Sequence, residues 1–335
     1  MAEEKKTLPA DKIPEIKEKL ASIKPEDLGF PPAPPRKGEP GYEEYLEAEK
    51  NKAPWNAPEG SPTFCCNAEY WLPAAQKHAA TPKTIIVPVA HELLFLCDGI
   101  KPKGYDELVK NIENAANEVG WPAFIRTGQT SGKHDWKYTC GGCKSPSDIP
   151  RIIGMLTETS GMADLPLVNF MIREMLPTKP IFLAFEDMPV TREFRFFAEN
   201  GEITHIQPYW PEEAILMRRR DTDAPDAEPK TYIKGNVPDW KDKLSLMSAL
   251  STREYEMLAE MSKAISKELS LPKGGWSIDW LQDKDGKWWL TDMAVEVLSY
   301  RWEPDFKIVD DEKYEKAVKA GIVPETSAPS PSPAM

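Results

Sequence analysis

Long apolar runs are missing from this 335-residue chain: none reaches the roughly 18 residues that a bilayer-crossing helix needs. The first residues, MAEEKKTLPADK, carry no signal-peptide core, so the expectation is a soluble protein of the cytoplasm. Cysteine is scarce and odd in number, at five, which gives no disulfide framework and suits a reducing compartment. Positive charge is also short. With 42 Lys and Arg against 54 Asp and Glu, the net charge of −12 argues against a broad nucleic-acid-coating surface, though not against a local basic groove.

Proline is abundant instead. Its 33 residues are about twice the ordinary share of roughly 5%, and many gather near the two ends. The 11 Trp and a hydrophobic fraction of 41% argue for a folded protein, and the length allows two or three packed units. Two cysteine pairs, Cys65-Cys66 and Cys140-Gly-Gly-Cys143, offer at most half of a zinc spacing each. The expectation for them is free thiols in a loop, with zinc binding left open.

Residues 1 to about 62 read as an arm. Ile13, Ile16, Leu20 and Ile23 recur at helical spacing, and the Pro-rich run from Phe30 to Pro35 must be extended. A second short helix is expected around Tyr42 to Lys50. Order begins near Phe64. A strand over Thr84–Val89, a helix over Tyr105–Val119 and a strand over Ala123–Arg126 give a β-α-β order. Arg126 then leads into a loop rich in Gly, Ser and Thr that holds Ser131, Lys133 and Asp135. Backbone N–H groups and hydroxyls there could cup phosphate oxygens while Arg126 and Lys133 neutralise charge. The loop lacks Walker A spacing.

Further on, a helix is expected over Ser147–Thr159, and an apolar strand around Leu167–Glu174 turns polar at Arg173 and Glu174 and stops at Pro177. Such a segment suits a hinge whose backbone groups pair with an adenine ring. Glu193 to Gln207 reads as a hairpin. A three-residue loop at Glu199–Gly201 would set Glu193 opposite Gln207 and Arg195 opposite His205, a polar strip fit for a ligand. Arg218–Arg220 form a basic cluster that could touch RNA or an anionic substrate. After a helix over Thr252–Leu269, a second hairpin spans Gly275–Trp302. With Asp285-Gly286 as a two-residue turn, Asp279 falls opposite Asp292, about 5 Å away on one face, and Glu296 follows by alternation. Carboxylates so placed repel unless a cation sits between them, which suggests a Mg²⁺ site for a nucleotide phosphate. An ordinary hairpin with solvent-facing Asp residues is the competing possibility.

Taken in order, these pieces resemble the ATP-grasp superfamily. The likeness is above all to its cell-division-cycle branch, which chaperones assembly of eukaryotic initiation factor 2, and to microbial and viral relatives. It runs from Phe64 to Trp302 through Phe124-Ile-Arg126, Ser131-Gly-Lys133-His-Asp135-Trp136, Met171-Ile-Arg173-Glu174, Glu193-Phe-Arg195-Phe-Phe with Gln207, Ile278-Asp279 and Leu290-Thr-Asp292. One departure stands out: Ala294 occupies the place of an Asn two residues after the metal carboxylate, and Glu296 would supply the missing oxygen. The resemblance implies an α+β ATP-grasp fold, with two α+β lobes holding ATP between them and a Pro-rich N-terminal arm.

The expected layout is a partly helical arm at 1–62, an α/β subdomain at 63–120, a nucleotide-binding lobe at 121–177, a catalytic and metal-binding lobe at 178–310 and a disordered tail at 311–335. The resemblance places ATP on Arg126, Ser131, Lys133, Ile172, Arg173, Glu174, Glu193, Arg195 and Asp279. It places Mg²⁺ on Asp279, Asp292 and Glu296, and gives catalysis to Arg195 and Lys133. The expected activity is an ATP-dependent ligase that activates a carboxylate as an acyl phosphate. The alternatives are an ATP-binding assembly chaperone whose arm grips a protein client, or an ATP-dependent RNA-end enzyme. No membrane partner is expected.

Overall fold

The computed structural model describes residues 35, 38–45, 59–163, 165–217, 230–269, 271, 274–302 and 305–326. The chain divides into two units, Met1–Lys52 and Ala53–Met335. In the first, residues 42–45 form one helical turn, with the Tyr45 N–H donating to the Gly41 carbonyl at 2.9 Å. The helix expected around Ile13 and the cluster Arg218–Arg220 lie outside the described residues.

The second unit is α+β. Helix α1 (Ala68–His78) starts where the Asn67 side chain accepts the Glu69 N–H at 3.1 Å, and β1 (Thr84–Pro88) follows. Helix α2 (Tyr105–Val119) runs between two positive-φ glycines, Gly104 and Gly120, and leads through β2 (Ala123–Thr127) and α3 (Ile149–Met162) to β3 (Asn169–Glu174). Strand β3 pairs antiparallel with both β1 and β2, so the segments expected at 63–120 and 121–177 share one sheet of order β1-β3-β2. Alternation sorts its faces. Val87, Ile125, Phe170 and Ile172 pack with Ile112 of α2 and Ile152 of α3, while Thr84, Phe124, Arg126 and Arg173 point the other way.

A short hairpin, β4 (Phe182–Ala184) and β5 (Met188–Val190), precedes β6 (Glu193–Glu199) and β7 (Glu202–Pro208). Then come α4 (Trp240–Met247), α5 (Thr252–Glu268), β8 (Trp276–Gln282), β9 (Trp288–Val295) and α6 (Asp311–Lys319), a capped helix with Ala317 buried where a disordered tail was expected from residue 311. The larger sheet is antiparallel with order β7-β6-β8-β9. One face, built from Phe194, Phe196, Trp276, Ile278, Trp280, Leu290 and Met293, packs with Leu258 and Ile265 of α5 and Trp71 of α1. Each such aromatic or aliphatic side chain contributes about 1.5–3 kcal/mol when fully buried. The opposite face carries Glu193, Arg195, Gln207, Asp279 and Asp292. No helix among the described residues is long and apolar enough to cross a membrane.

Both hairpins depart from the expected loops. Glu199 pairs with Glu202, so Asn200 and Gly201, both at positive φ, form a two-residue turn. That turn alone would mix polar and apolar residues on each face. An irregularity at Thr204 restores the alternation, so Arg195 pairs with Gln207 and Phe197 with His205, in place of the expected Arg195–His205 pairing. In the second hairpin the Asp283 N–H donates to the Lys287 carbonyl at 2.9 Å, which leaves a three-residue loop, Lys284–Gly286, with Gly286 at positive φ. A compensating bulge at Thr291 still sets Asp279 directly across from Asp292.

One carboxylate ties a helix start to this sheet. Glu254 caps α5, accepting the Ser251 N–H at 3.1 Å, and accepts Arg192 Nη1 and Nη2 at 2.7 and 2.8 Å. Arg192 Nη1 also reaches Gln282 Oε1 at 2.8 Å, and Thr326 Oγ1 donates to Glu254. Burial would raise the Glu254 pKa, but Arg192 and Thr326 hold it below the ordinary carboxyl value. A depressed carboxylate contributes stability above its unfolded pKa and loses it as pH falls through the lower folded value. Melting wild type and Glu254→Gln across acid pH should therefore give a large gap near neutrality, where Arg192 is left unpaired at a cost of about 3–5 kcal/mol. The two curves should converge only as pH falls through that lowered folded value, where Glu254 is protonated in both states.

Candidate functional site

The two sheets face each other across a cleft of about 720 Å³, a volume counted to its open mouth. Its floor is charged. From β2, Arg126 donates Nη1 to Asp292 Oδ2 at 2.7 Å and Nε to the Thr127 carbonyl at 3.0 Å. From the loop after β2, Lys133 donates to Glu193 Oε1 at 2.9 Å, and Trp210 Nε1 holds the other Glu193 oxygen at 3.2 Å. One step along the larger sheet, Arg195 binds Asp279 through both oxygens, at 2.8 and 2.9 Å. The Tyr209 ring separates the last two cations, with its centroid 4.3 Å from Lys133 Nζ and 4.8 Å from Arg195 Cζ.

Arg173 is different. It bridges the sheets, donating Nε to Thr84 Oγ1 at 3.0 Å and Nη1 to the Thr291 carbonyl at 2.5 Å. Its Nη2 has no hydrogen-bond partner although the residue is only 3% exposed, and no carboxylate bonds to it among the described residues. Burial, with Arg126 alongside, pushes this guanidinium down to about 9, so it stays charged at neutral pH. A buried cation with an unsatisfied donor beside a cleft suits the binding of an anion. For Lys133, burial works against the charge, but Glu193 outweighs it and holds the amine well above its ordinary value. Burial pushes the Glu193 carboxyl up and Lys133 pulls it back. The Asp279 partner likewise holds Arg195 fully charged against its burial.

The cleft's other walls are apolar: Phe124, Trp136, Met175, Leu176, Met188 and Trp210. Composition gave no sign of them, because a wall aromatic and a core aromatic look alike in sequence. A hint lay in the two glycines between Cys140 and Cys143. A Cβ on Gly141 would stand 2.0 Å from the Trp136 ring, and one on Gly142 would stand 2.2 Å from the Lys137 carbonyl. The pair is there for close packing against the loop that carries Trp136 and Lys133. The cysteines themselves are buried free thiols, and burial pushes both Cys140 and Cys143 up to about 12. No group of three His, Cys, Asp or Glu that could hold a metal occurs among the described residues.

Of the expected residues, Arg126, Lys133, Arg173, Glu174, Glu193 and Asp292 line the cleft. Arg195 and Asp279 lie just behind the lining, joined to it by Asp279 pairing across to Asp292. Ile172 does not reach it; alternation turns that side chain into the core against α2 and α3, and the wall is formed further on by Met175 and Leu176. Ser131 is outside the lining. Glu296 is not gathered with the two aspartates. Strand β9 stops at Val295, the Glu296 N–H donates to the Gly275 carbonyl at 2.8 Å, and its carboxylate sits by Gly275 at the sheet's end. That lies four residues of β8 from Asp279, about 13 Å of strand.

Solved ATP-grasp structures are similar to this chain. Cdc123 from Schizosaccharomyces pombe shares 16% identity over 72% of this chain and 89% of its own, at a TM-score of 0.42. A RimK-domain ATP-grasp protein from Sphaerobacter thermophilus shares 12% over 78% and 67%, at 0.35. D-alanine–D-alanine ligase from Bacillus anthracis, complexed with ATP, shares 14% over 77% and 60%, at 0.33. No family model and no curated protein matches the chain.

The donor chemistry admits a divalent cation on two carboxylates rather than three. Mg²⁺ is commonly held by one or two carboxylates together with substrate phosphates, and Asp279 and Asp292 stand directly across from each other on one face. Both oxygens of Asp279 are engaged by Arg195, and those of Asp292 by Arg126 and the Met293 N–H at 3.0 Å. A metal here requires the arginines to take another partner.

Proposed function

We propose that the chain is an ATP-grasp protein that binds ATP with Mg²⁺ in this cleft. In this reading it activates a carboxylate as an acyl phosphate for attack by an amine or similar nucleophile. The observation that carries the reading is the gathering of Arg126, Lys133 and Arg173 from β2, its following loop and β3 around one cleft, with an apolar wall beside them. The adenine would lie against Met175 and Leu176, where the backbone has left the sheet, and the phosphates against the cations. Arg126 and Arg195 would exchange carboxylate partners for phosphate oxygens, and the freed Asp292 and Asp279 would take Mg²⁺. Bound there, the metal supplies neutralisation of the charge that develops on the transferring phosphoryl group. Lys133 and Arg195 would hold that charge from the protein side.

A second reading, an assembly chaperone that binds ATP without turning it over, is favoured by one observation. Ala294 offers no oxygen and Glu296 lies at the sheet's end, which leaves the metal two carboxylates. Calorimetric titration with ATP, with and without Mg²⁺, followed by ADP release against a pool of metabolites and peptides, tests both. Metal-dependent binding with acceptor-stimulated ADP is the expected result. Binding without turnover selects the chaperone reading, and absence of binding removes both.

A further inference from the structure

Past β9 the chain turns back over the polar face of the larger sheet. A single 3₁₀ turn, Glu296–Leu298, re-aims it, and residues 299–302 pass beside Arg195 as a strap. Main chain holds this strap to the sheet. The Tyr300 carbonyl accepts Arg195 Nη1 at 3.3 Å and Gln207 Nε2 at 3.1 Å, and the Trp302 N–H donates to Gln207 Oε1 at 2.9 Å. Gln207 is 1% exposed, so both halves of its buried amide are satisfied by one extended stretch of backbone. The Ser299 hydroxyl adds a contact to Ser277 Oγ at 2.5 Å.

At Arg195 and Gln207 the holding is by main chain alone; apart from these the strap has the Ser299–Ser277 hydroxyl contact, a Tyr300–Trp302 ring contact at 4.6 Å and an Arg301–Asp305 ion pair at 3.7 Å. Val297 is 77% exposed, Leu298 57% and Tyr300 64%, an apolar set left in water. A segment held at Arg195 and Gln207 by its backbone can be replaced there by another of different sequence, because every peptide repeats the same carbonyl and N–H. An anionic metabolite would satisfy Arg195 and the Gln207 NH₂ group but leave the Gln207 carbonyl without a donor, at a cost in a buried site. The site's two-way demand fits an amide backbone.

We propose that Arg195 and Gln207 form a binding site for the main chain of an extended peptide segment from a second protein, which the chain's own residues 299–302 fill until that segment displaces them. Its place beside Asp279 makes the peptide the second ligand of the nucleotide cleft, and in that respect the proposal rests on the reading above. Arg195 links the two, with Nε and Nη2 on Asp279 and Nη1 on the strap.

The probe is a capped pentapeptide of the strap's own sequence, LSYRW. Added in large excess to the intact protein, it should accelerate amide hydrogen exchange at residues 299–302, by at least about tenfold at the Trp302 amide. A variant with residues 297–302 replaced by Gly and Ser should bind a fluorescent form of the peptide at least about tenfold more tightly than the intact protein does. Gln207→Leu in that background should remove the binding. Unchanged exchange in the intact protein overturns the proposal, even where the strap variant fails to fold, and so does peptide binding indifferent to Gln207. ATP titration of the same preparations separates the two readings. Peptide binding without ATP binding ends the nucleotide reading alone, and ATP binding without any peptide effect ends this one alone.

Discussion

Asp292→Asn is expected to reverse the effect of Mg²⁺ on ATP affinity. In the structure Asp292 is the partner of Arg126, at 2.7 Å, and it stands in the cleft where phosphates would lie. Without metal, the carboxylate repels a phosphate and competes with it for Arg126, so removing its charge should tighten ATP binding. With metal, the same carboxylate is a ligand, and its loss should weaken Mg²⁺-dependent binding roughly 100-fold or more. Asparagine keeps an oxygen toward Arg126 and a similar shape, so the melting temperature should stay near wild type. The measurement is a pair of calorimetric titrations, in Mg²⁺ and in chelator. Equal weakening in both would mean that Asp292 only positions Arg126, and the metal assignment would fall.

That Asp292 faces Asp279 was legible in the sequence, though by two departures that offset each other. The turn was expected to hold two residues and holds three, and a bulge at Thr291 brings the register back before the aspartates. Glu193–Gln207 went the other way. There the turn expected to spoil the alternation is the one that forms, and a bulge at Thr204 repairs it. Alternation constrains the sum of turn length and bulge, not either one alone, so hairpin faces can be read more securely than hairpin pairings. The faces hold: Glu193, Arg195 and Gln207 share one side, with the phenylalanines 194 and 196 on the other.

What escaped the sequence is of another kind. Helix α2 was legible to the residue because two glycines bracket an amphipathic run. The cleft's apolar walls were not, since Trp136, Trp210, Met175 and Leu176 acquire their role only when two sheets come together. Ile172 shows the limit well. It lies in the expected strand, one residue before Arg173, yet period-two alternation sends it into the opposite core. Glu296 shows another, because alternation predicts nothing once a strand ends, and β9 ends one residue earlier. Carbonyl contacts such as that of Tyr300 to Arg195 and Gln207 leave no side-chain signature at all.

The buried pair Lys133–Glu193 carries the remaining large effect. Lys133→Met is expected to destabilise the fold by about 3 kcal/mol, the low end for breaking a buried pair, since the Lys133 side chain keeps 16% exposure. The loss arises less from the 2.9 Å bond than from Glu193, which is left ionisable and 4% exposed with only the Trp210 N–H to hold it. Burial then acts on that carboxyl with the Arg195 charge but no longer Lys133 to oppose it, so it takes up a proton at a higher pH than in the wild type. Adding Glu193→Gln should restore most of the lost stability, because a neutral amide can keep the Trp210 contact without a buried charge. Nucleotide affinity should not return with it. If Lys133 serves phosphate binding, the double variant melts near wild type but binds ATP at least about tenfold more weakly. Thermal melts and ATP titrations of the four proteins in this cycle decide the matter: recovery of both properties together would make Lys133 the structural counter-ion of Glu193 and nothing more.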